Sequence, residues 1–499
     1  MWLHLLQRHD LAGWIWSIAI FVAHLVVVAR ALTRPNRTPA SRVAWVAVIL
    51  SVPALGVIAY LLLGETSIGR SRMIRLRRTQ RLLEAPKHDD DTGTVDVRPR
   101  INALFDLCHS INGFRPVGGN RIALLGHPGA PVDQPKLDCR AAIDTLIADI
   151  EQARQHIHIA FYIWLDDGAG GRVADAVANA ARRGVQCRVM VDALGSRPFI
   201  HGPRWKQLGD AGVKLLKTLD DVSRWHHFAF SRADLRDHRK IVVIDNRIAY
   251  CGSQNCADPE FEVKPEFAPW IDMLLRCEGP IVRQQQSLFL SGWIAEAREP
   301  GLDGLPAAEP MPTRFAENVV AQVFETGPIT RHNAMSDMFA ACMYAARSEL
   351  LITTPYFMPD EAILRALCAA PRRGVKATII FPARNDSWLV GNACRSTYAD
   401  LLACGVAVHE YPLGLLHSKS LTIDGQLALV GSANMDRRSL ELNFENNMLI
   451  VDADVVAAVH ARQSGYLAAS RPVTLDEVRA WPFRQRLVQN TIAMMAPVL

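Results

Sequence analysis

At 499 residues the chain is too long for one ordinary core, so two or three domains are expected. A hydrophobic share of 49% beside 21% charged residues is rich for a soluble protein and thin for a polytopic transporter, and a net charge of +5 excludes a broad nucleic-acid-binding field as the main property. Ten scattered cysteines with no CxxC pair argue against a disulfide framework or a zinc site and suit a reducing compartment.

The apolar excess is concentrated at the start. Leu11 to Ala29 is interrupted only by Ser17 and His24, and Val43 to Leu63 is a second run; each has about the 20 residues that a crossing helix needs. Trp14, Trp16, Trp45 and Tyr60 stand where interfacial aromatics belong. A signal peptide fits poorly, because no small-residue cleavage site follows and a second run comes at once. Residues 1–70 therefore read as a membrane anchor of two transmembrane helices, about 11–29 and 43–63. Arg30, Arg34, Arg37 and Arg42 occupy the connecting loop, whereas Arg70, Arg72, Arg75, Arg77, Arg78 and Arg81 follow the second run. The larger cluster favours a cytoplasmic body in an inner, cell membrane, and the loop arginines pull the other way. The cluster is equally a topogenic charge run or a holder of anionic headgroups.

Residues 71–135 form a basic segment, a polar linker from Pro86 to Pro99 containing Asp89, Asp90 and Asp91, and a lead-in. Beyond it the chain repeats. Ile157–Ile163, an Ala-rich helix closed by Arg182-Arg183-Gly184-Val185, and Cys187–Val191 read as strand, helix, strand. Leu350–Thr354, a helix closed by Arg372-Arg373-Gly374-Val375, and Ala377–Phe381 read the same way. Such βαβ units imply parallel strands in mixed sheets flanked by helices, an α/β class. Domains are expected at 136–320 and 321–480.

The sharper repeat is H-x-K-x4-D-x6-G-S-x-N. It runs His238, Lys240, Asp245, Ser253, Asn255, and again His417, Lys419, Asp424, Ser432, Asn434, with every gap identical. Packing explains the apolar strands inside it but gives no reason to hold five polar residues in one register twice. Side chains at i and i+2 of a strand share a face, so each histidine projects with its lysine. If the halves pair by pseudo-twofold symmetry, two imidazoles and two ammonium groups meet. That set suits displacement at a phosphodiester: one histidine attacks phosphorus, the other protonates the leaving alkoxide and then takes a proton from the incoming hydroxyl. The lysines with Ser253, Asn255, Ser432 and Asn434 can donate to the non-bridging oxygens. No metal or other cofactor is needed. Asp245 and Asp424 end their strands and take a structural or hydrogen-bonding part within the motif. Asp272 and Glu445 follow the two motifs and are candidates to orient the histidines, with an ordinary surface acid as the alternative.

These residues resemble the phospholipase D superfamily, and within it the bacterial cardiolipin synthases. The matching segments include Arg236-Asp237-His238-Arg239-Lys240, Trp270-Ile271-Asp272 with Gly279-Pro280, and Thr326-Gly327-Pro328. Thr353-Thr354-Pro355-Tyr356-Phe357-Met358-Pro359, Gly431 to Ser439, Asn443-Phe444-Glu445 and the tail Ala496-Pro497-Val498-Leu499 complete them. Asp237, where close relatives would carry asparagine, and Cys251 before its glycine are departures that remove no catalytic group. The resemblance implies two phospholipase D-like domains and conversion of two phosphatidylglycerols into cardiolipin and glycerol through a phosphatidyl-histidine. It makes His238 the nucleophile and His417 the acid/base, a choice the spacing leaves open, and it favours Asp272 and Glu445 as orienting groups. Phosphatidylglycerol, other anionic phospholipids and the membrane are the expected partners, and nucleic acid is not. A phospholipase D, a phosphatidylserine synthase and, further off, a nuclease share the chemistry. His226-His227 reads as a loop or pocket-rim pair. The tail 481–499, mixing Trp481, Phe483, Leu487, Ile492 and Met495 with Arg484 and Arg486, reads as an interfacial helix or as one docked on the body.

Overall fold

Proline and hydropathy together shape the described residues up to Arg70. A computed structural model describes residues 11–35, 37–65, 68–84, 98–127, 134–220, 234–297 and 313–494. The Asp89–Asp91 stretch of the linker, His226-His227 and the last residues Ala496–Leu499 lie outside them. The chain divides into an N-terminal unit built on Met1–Arg70 and a body built on Ser71–Asp220 and Arg236–Ala493. In the first unit a continuous helix, Leu11–Thr33, contains a 20-residue stretch long and apolar enough to cross a membrane. The second expected span is not one helix. It divides into Pro39–Ser51 and Pro53–Leu63. Pro53 offers no N–H and its ring crowds the residue before it, so Val52 leaves helical geometry at φ −132°, ψ 76°. Trp45 meets Tyr60 edge-on, with ring centroids 5.4 Å apart.

Among the described residues the body is built on a mixed sheet of 15 strands in two matching runs of seven, with one short strand, Arg471–Pro472, added at an edge. From the outer edge inward, the first run is Lys214–Thr218, Gln186–Asp192, His156–Phe161, Ile241–Ile244, Ile248–Gly252, Leu274–Glu278 and Val117–Leu124. The second repeats the order as Ala407–Tyr411, Lys376–Pro382, Glu349–Thr353, Ser420–Ile423, Leu427–Gly431, Glu445–Val451 and Val319–Thr326. The three outer strands of each run are parallel. In each run a helix, Gly168–Arg182 or Glu361–Arg372, links two of them and ends just before a glycine of positive φ, Gly184 or Gly374. The runs fuse where Val117–Leu124 pairs antiparallel with Val319–Thr326. A boundary at residue 320 therefore cuts a strand, and one at 136 omits Val117–Leu124 from the half it completes.

Fusion also explains the core. One apolar cluster packs against the first run, one against the second, and a third lies under the seam, drawing Val243 and Leu275 from one half and Val430 and Met448 from the other. The helix Ile281–Ala297 is buried along nearly its whole length there. Near the C-terminus, Trp481 packs on Tyr398, and the helix Phe483–Met494 buries Ile492 while leaving Phe483 and Leu487 exposed.

Candidate active site

Each H-x-K segment is positioned by the opposite half. Asp237 forms a bridge with Phe444, and the His238 amide donates to the Phe444 carbonyl at 2.9 Å. Leu415–Leu416 pairs in parallel with Trp270–Ile271, and the His417 amide donates to the Ile271 carbonyl at 2.8 Å. Each histidine backbone is thus anchored one residue before the other half's acidic side chain, Glu445 or Asp272. The lysine two positions on turns back, its Nζ donating to the histidine's own carbonyl, at 2.7 Å for Lys240 and 2.5 Å for Lys419.

The acid–histidine pairs are consequently crossed. His238 Nδ1 lies 2.8 Å from Glu445 Oε2, and His417 Nδ1 lies 2.7 Å from Asp272 Oδ1. An ionised carboxylate accepts a hydrogen bond from Nδ1–H, so the neutral imidazole keeps its lone pair on Nε2 and the protonated one presents an N–H there. Ser432 donates to Glu445 Oε2 at 2.5 Å, and Ser439 and Asn443 donate to Oε1 at 2.8 and 3.2 Å. Asp272 receives Ser253 at 2.6 Å on the oxygen that also faces His417. The sites are related by symmetry but not equal.

All six groups are buried, none more than 6% exposed, and this governs their protonation. Burial, opposed by Glu445, pushes His238 down to about 4. Burial, opposed by Asp272, lowers His417 as well. Each imidazole also feels the ammonium groups of both Lys240 and Lys419, which brings the two motifs into one electrostatic neighbourhood. Burial, eased by Glu445 and Asp272, lowers Lys240 to about 8. Burial, eased by Asp272 and worsened by Lys240, lowers Lys419 to about 7. Glu445 and Asp272 are driven up by burial but held below their usual range by the histidines they face. Two desolvated ammonium groups that raise each other's cost of charging are stabilised when an anion joins them, which is what a phosphodiester supplies.

The remaining motif residues divide by task. Ser253 and Ser432 are not positioned as phosphate donors: their hydroxyls are committed to the two carboxylates. Asn255 Nδ2 and Oδ1 and Asn434 Oδ1 are buried without a partner, as side chains waiting for a polar ligand would be. Asp245 and Asp424 sit at the far ends of their strands. Asp245 accepts the amides of Arg154, Gln155 and His156 at 2.8, 2.8 and 2.9 Å. Asp424 accepts those of Arg347, Ser348 and Glu349 and pairs with Arg100 at 2.9 Å. Both carry a positive φ at the hairpin turn. They fix the strand that bears the lysine and do not approach the imidazoles' partners.

Several residues of the site escape a reading of the motif alone. Tyr162 is edge-on to His238 at 4.9 Å and lies under Lys240; Trp270 packs on His417 at 4.6 Å. Asn446 Oδ1 accepts the Lys240 amide at 2.9 Å. Arg239, between His238 and Lys240, turns away into a buried ion cluster, with Nε and Nη2 on Asp237 and Nη1 on Glu325, each at 2.8 Å. Position was the available signal: Tyr162 and Tyr356 follow equivalent strands, and Asn446 follows Glu445 directly.

Comparison with known proteins agrees with this geometry. Residues 146–289 and 339–464 match the family model described as "Cardiolipin synthase, PLD-like domain", and residues 15–65 match "Phospholipase_D-nuclease N-terminal". Cardiolipin synthase A of Cronobacter sakazakii and that of Klebsiella pneumoniae are each 35% identical, over 98% of this chain and 99% of theirs. Among solved structures, phosphatidylserine synthase of Haemophilus influenzae superposes with a TM-score of 0.58 at 13% identity, covering 80% of this chain and 100% of that one, a likeness of fold.

Proposed function

Because the chain belongs to the cardiolipin synthase family of phospholipase D-like proteins, we propose that it transfers a phosphatidyl group between two phosphatidylglycerols, giving cardiolipin and glycerol. The crossed pairs His238–Glu445 and His417–Asp272 carry this reading, since they leave two Nε2 atoms for one phosphorus. His238 Nε2 attacks phosphorus, and the bond to the glycerol oxygen breaks as His417 delivers a proton to that oxygen. The product is a phosphatidyl-histidine and free glycerol. His417, now neutral, takes the proton from a headgroup hydroxyl of the second phosphatidylglycerol. That oxygen bonds to phosphorus as the bond to His238 breaks. Lys240, Lys419 and the side-chain N–H groups of Asn255 and Asn434 hold the non-bridging oxygens. The depression of His238 to about 4 by burial suits a nucleophile that stays neutral. The substrates are anionic lipids of the membrane that the N-terminal unit enters, and the body works on the cytoplasmic side.

Purified enzyme given phosphatidylglycerol alone should form cardiolipin and glycerol in equal amounts, followed by thin-layer analysis and a glycerol assay. Phosphatidic acid as the sole product would identify a phospholipase D instead, and transfer only to added serine a phosphatidylserine synthase.

A further inference from the structure

Neither arm of the second apolar segment is long enough to cross a bilayer. Pro39–Ser51 has 13 residues and Pro53–Leu63 has 11, about 20 and 16 Å at 1.5 Å per residue, against a hydrocarbon thickness of about 30 Å. The arms also lie back to back. A Cβ on Gly56 would stand 2.3 Å from the Val48 carbonyl oxygen and 2.9 Å from Ile49 Cα, contacts that a continuous helix would separate by roughly 10 Å or more. Trp45 and Tyr60 touch at 5.4 Å between ring centroids, whereas a straight helix would part them by about 22 Å.

The two open ends are tied together. Arg37 Nη2 donates to the Gly64 carbonyl at 2.6 Å. Arg30 Nε and Arg34 Nη2 lie on the Glu65 carboxylate at 2.5 and 2.6 Å, and the Tyr60 hydroxyl donates to the same group at 3.2 Å. The residues that enter the segment and those that leave it therefore share one end. Around the arms, Val43, Leu50, Val52, Leu55, Ile58 and Leu61 are exposed. A two-arm apolar surface of this depth, with its charged groups at the open end and the one tip hydroxyl, Ser51, turned back onto the Ala47 carbonyl, fits the acyl region of a single leaflet.

We infer that residues 39–63 form a re-entrant hairpin, entering and leaving the membrane on one face, with Leu11–Thr33 as the crossing helix of the described residues. The loop at 34–38 and the chain from residue 65 onward then emerge on the same side. The charge conflict in the sequence disappears: the arginines of the loop and those from Arg70 to Arg81 no longer oppose one another, and together they set that side as cytoplasmic. This inference stands whether or not the lipid chemistry proposed above holds.

Cysteine labelling of the full-length protein in native membranes tests it. Nine of the ten native cysteines are buried and Cys404 is half-buried, so a Cys404→Ser background is nearly silent to an impermeant maleimide. Pro35→Cys and Arg78→Cys, both at exposed positions, should both label in inverted vesicles and neither in intact spheroplasts. Labelling from opposite faces means that the segment spans and overturns the inference. Val52→Cys gives an independent reading at the tip. It should resist the reagent from both faces until detergent is added, and reaction in intact spheroplasts would show that the tip reaches the far side, again overturning the inference.

Discussion

Glu445 and His238 stand 207 residues apart in the chain and 2.8 Å apart in space, and the reciprocal pair Asp272 and His417 repeats the arrangement across the seam. Each half supplies an imidazole and the carboxylate for the other half's imidazole, so each substitution at a carboxylate should be felt at the distant histidine.

That crossing gives separable phenotypes. Glu445→Gln and Asp272→Asn should each lower kcat on phosphatidylglycerol by about 10- to 100-fold, the usual effect of losing an orienting carboxylate. On an activated lipid whose nitrophenolate leaves without a proton, the burst of the first step should survive Asp272→Asn and stay impaired in Glu445→Gln. Equal burst losses would mean that the two histidines do not divide the work as assigned.

His238→Ala and His417→Ala should each reduce turnover by at least about 10³-fold. With the activated lipid, His417→Ala should accumulate a phosphatidyl adduct whose bond to the protein is acid-labile, detectable by intact-protein mass spectrometry. His238→Ala should form none. An adduct on the latter protein would exchange the two roles.

Asp245→Ala and Asp424→Ala should behave as folding variants. Each leaves three amides unpaired behind the catalytic strand, costing about 2–4 kcal/mol. Denaturant titration should register that loss while kcat per folded molecule stays within about twofold.

The two lysines and His417 set an alkaline limit. Burial places Lys419 near 7 and Lys240 near 8, so their charged forms are present below those values and are lost as pH rises through them; burial lowers His417 as well, and its charged form is lost in the same direction. kcat/KM should fall between about pH 6 and 8. The limb of kcat should lie higher, because a bound phosphodiester favours every nearby cation. His238, held near 4, stays neutral throughout. A flat kcat/KM from pH 6 to 9 would contradict this account.

Arg239→Met should be among the more damaging core changes. It leaves Asp237 and Glu325 buried without their shared guanidinium, at about 3–5 kcal/mol. Adding Glu325→Gln should recover part of that loss in a thermal melt.

How much of this the sequence disclosed depended on distance along the chain. His238 with Lys240 and His417 with Lys419 were legible because strand alternation aligns i and i+2. Asp272 and Glu445 were legible by type, but their partners were not, since a crossing made by backbone bridges between remote loops leaves no local pattern. The sequence leaves the task of Ser253 and Ser432 open, because a hydroxyl beside a histidine motif can serve a phosphate or a carboxylate. The amide of Ser253, bonded to the Met273 carbonyl at 2.9 Å, turns its hydroxyl toward Asp272. The seam strand Val117–Leu124, interrupted by Gly118, Gly119 and Asn120, lacks the apolar alternation that announces a strand. Pro53 is the available signal for the break in the second apolar run, and a reading of hydropathy averaged over a window passes over it.

The backbone bridges that exchange carboxylates between halves also constrain how such a protein can arise or be dismantled. A chain severed between residues 297 and 313 would yield two pieces, each with an imidazole whose Nδ1 has lost its acceptor. Activity would return only when the pieces reassemble. A polypeptide with a single copy of the motif would need a second molecule of itself to complete a centre, so duplication and fusion convert a concentration-dependent encounter into a permanent covalent one.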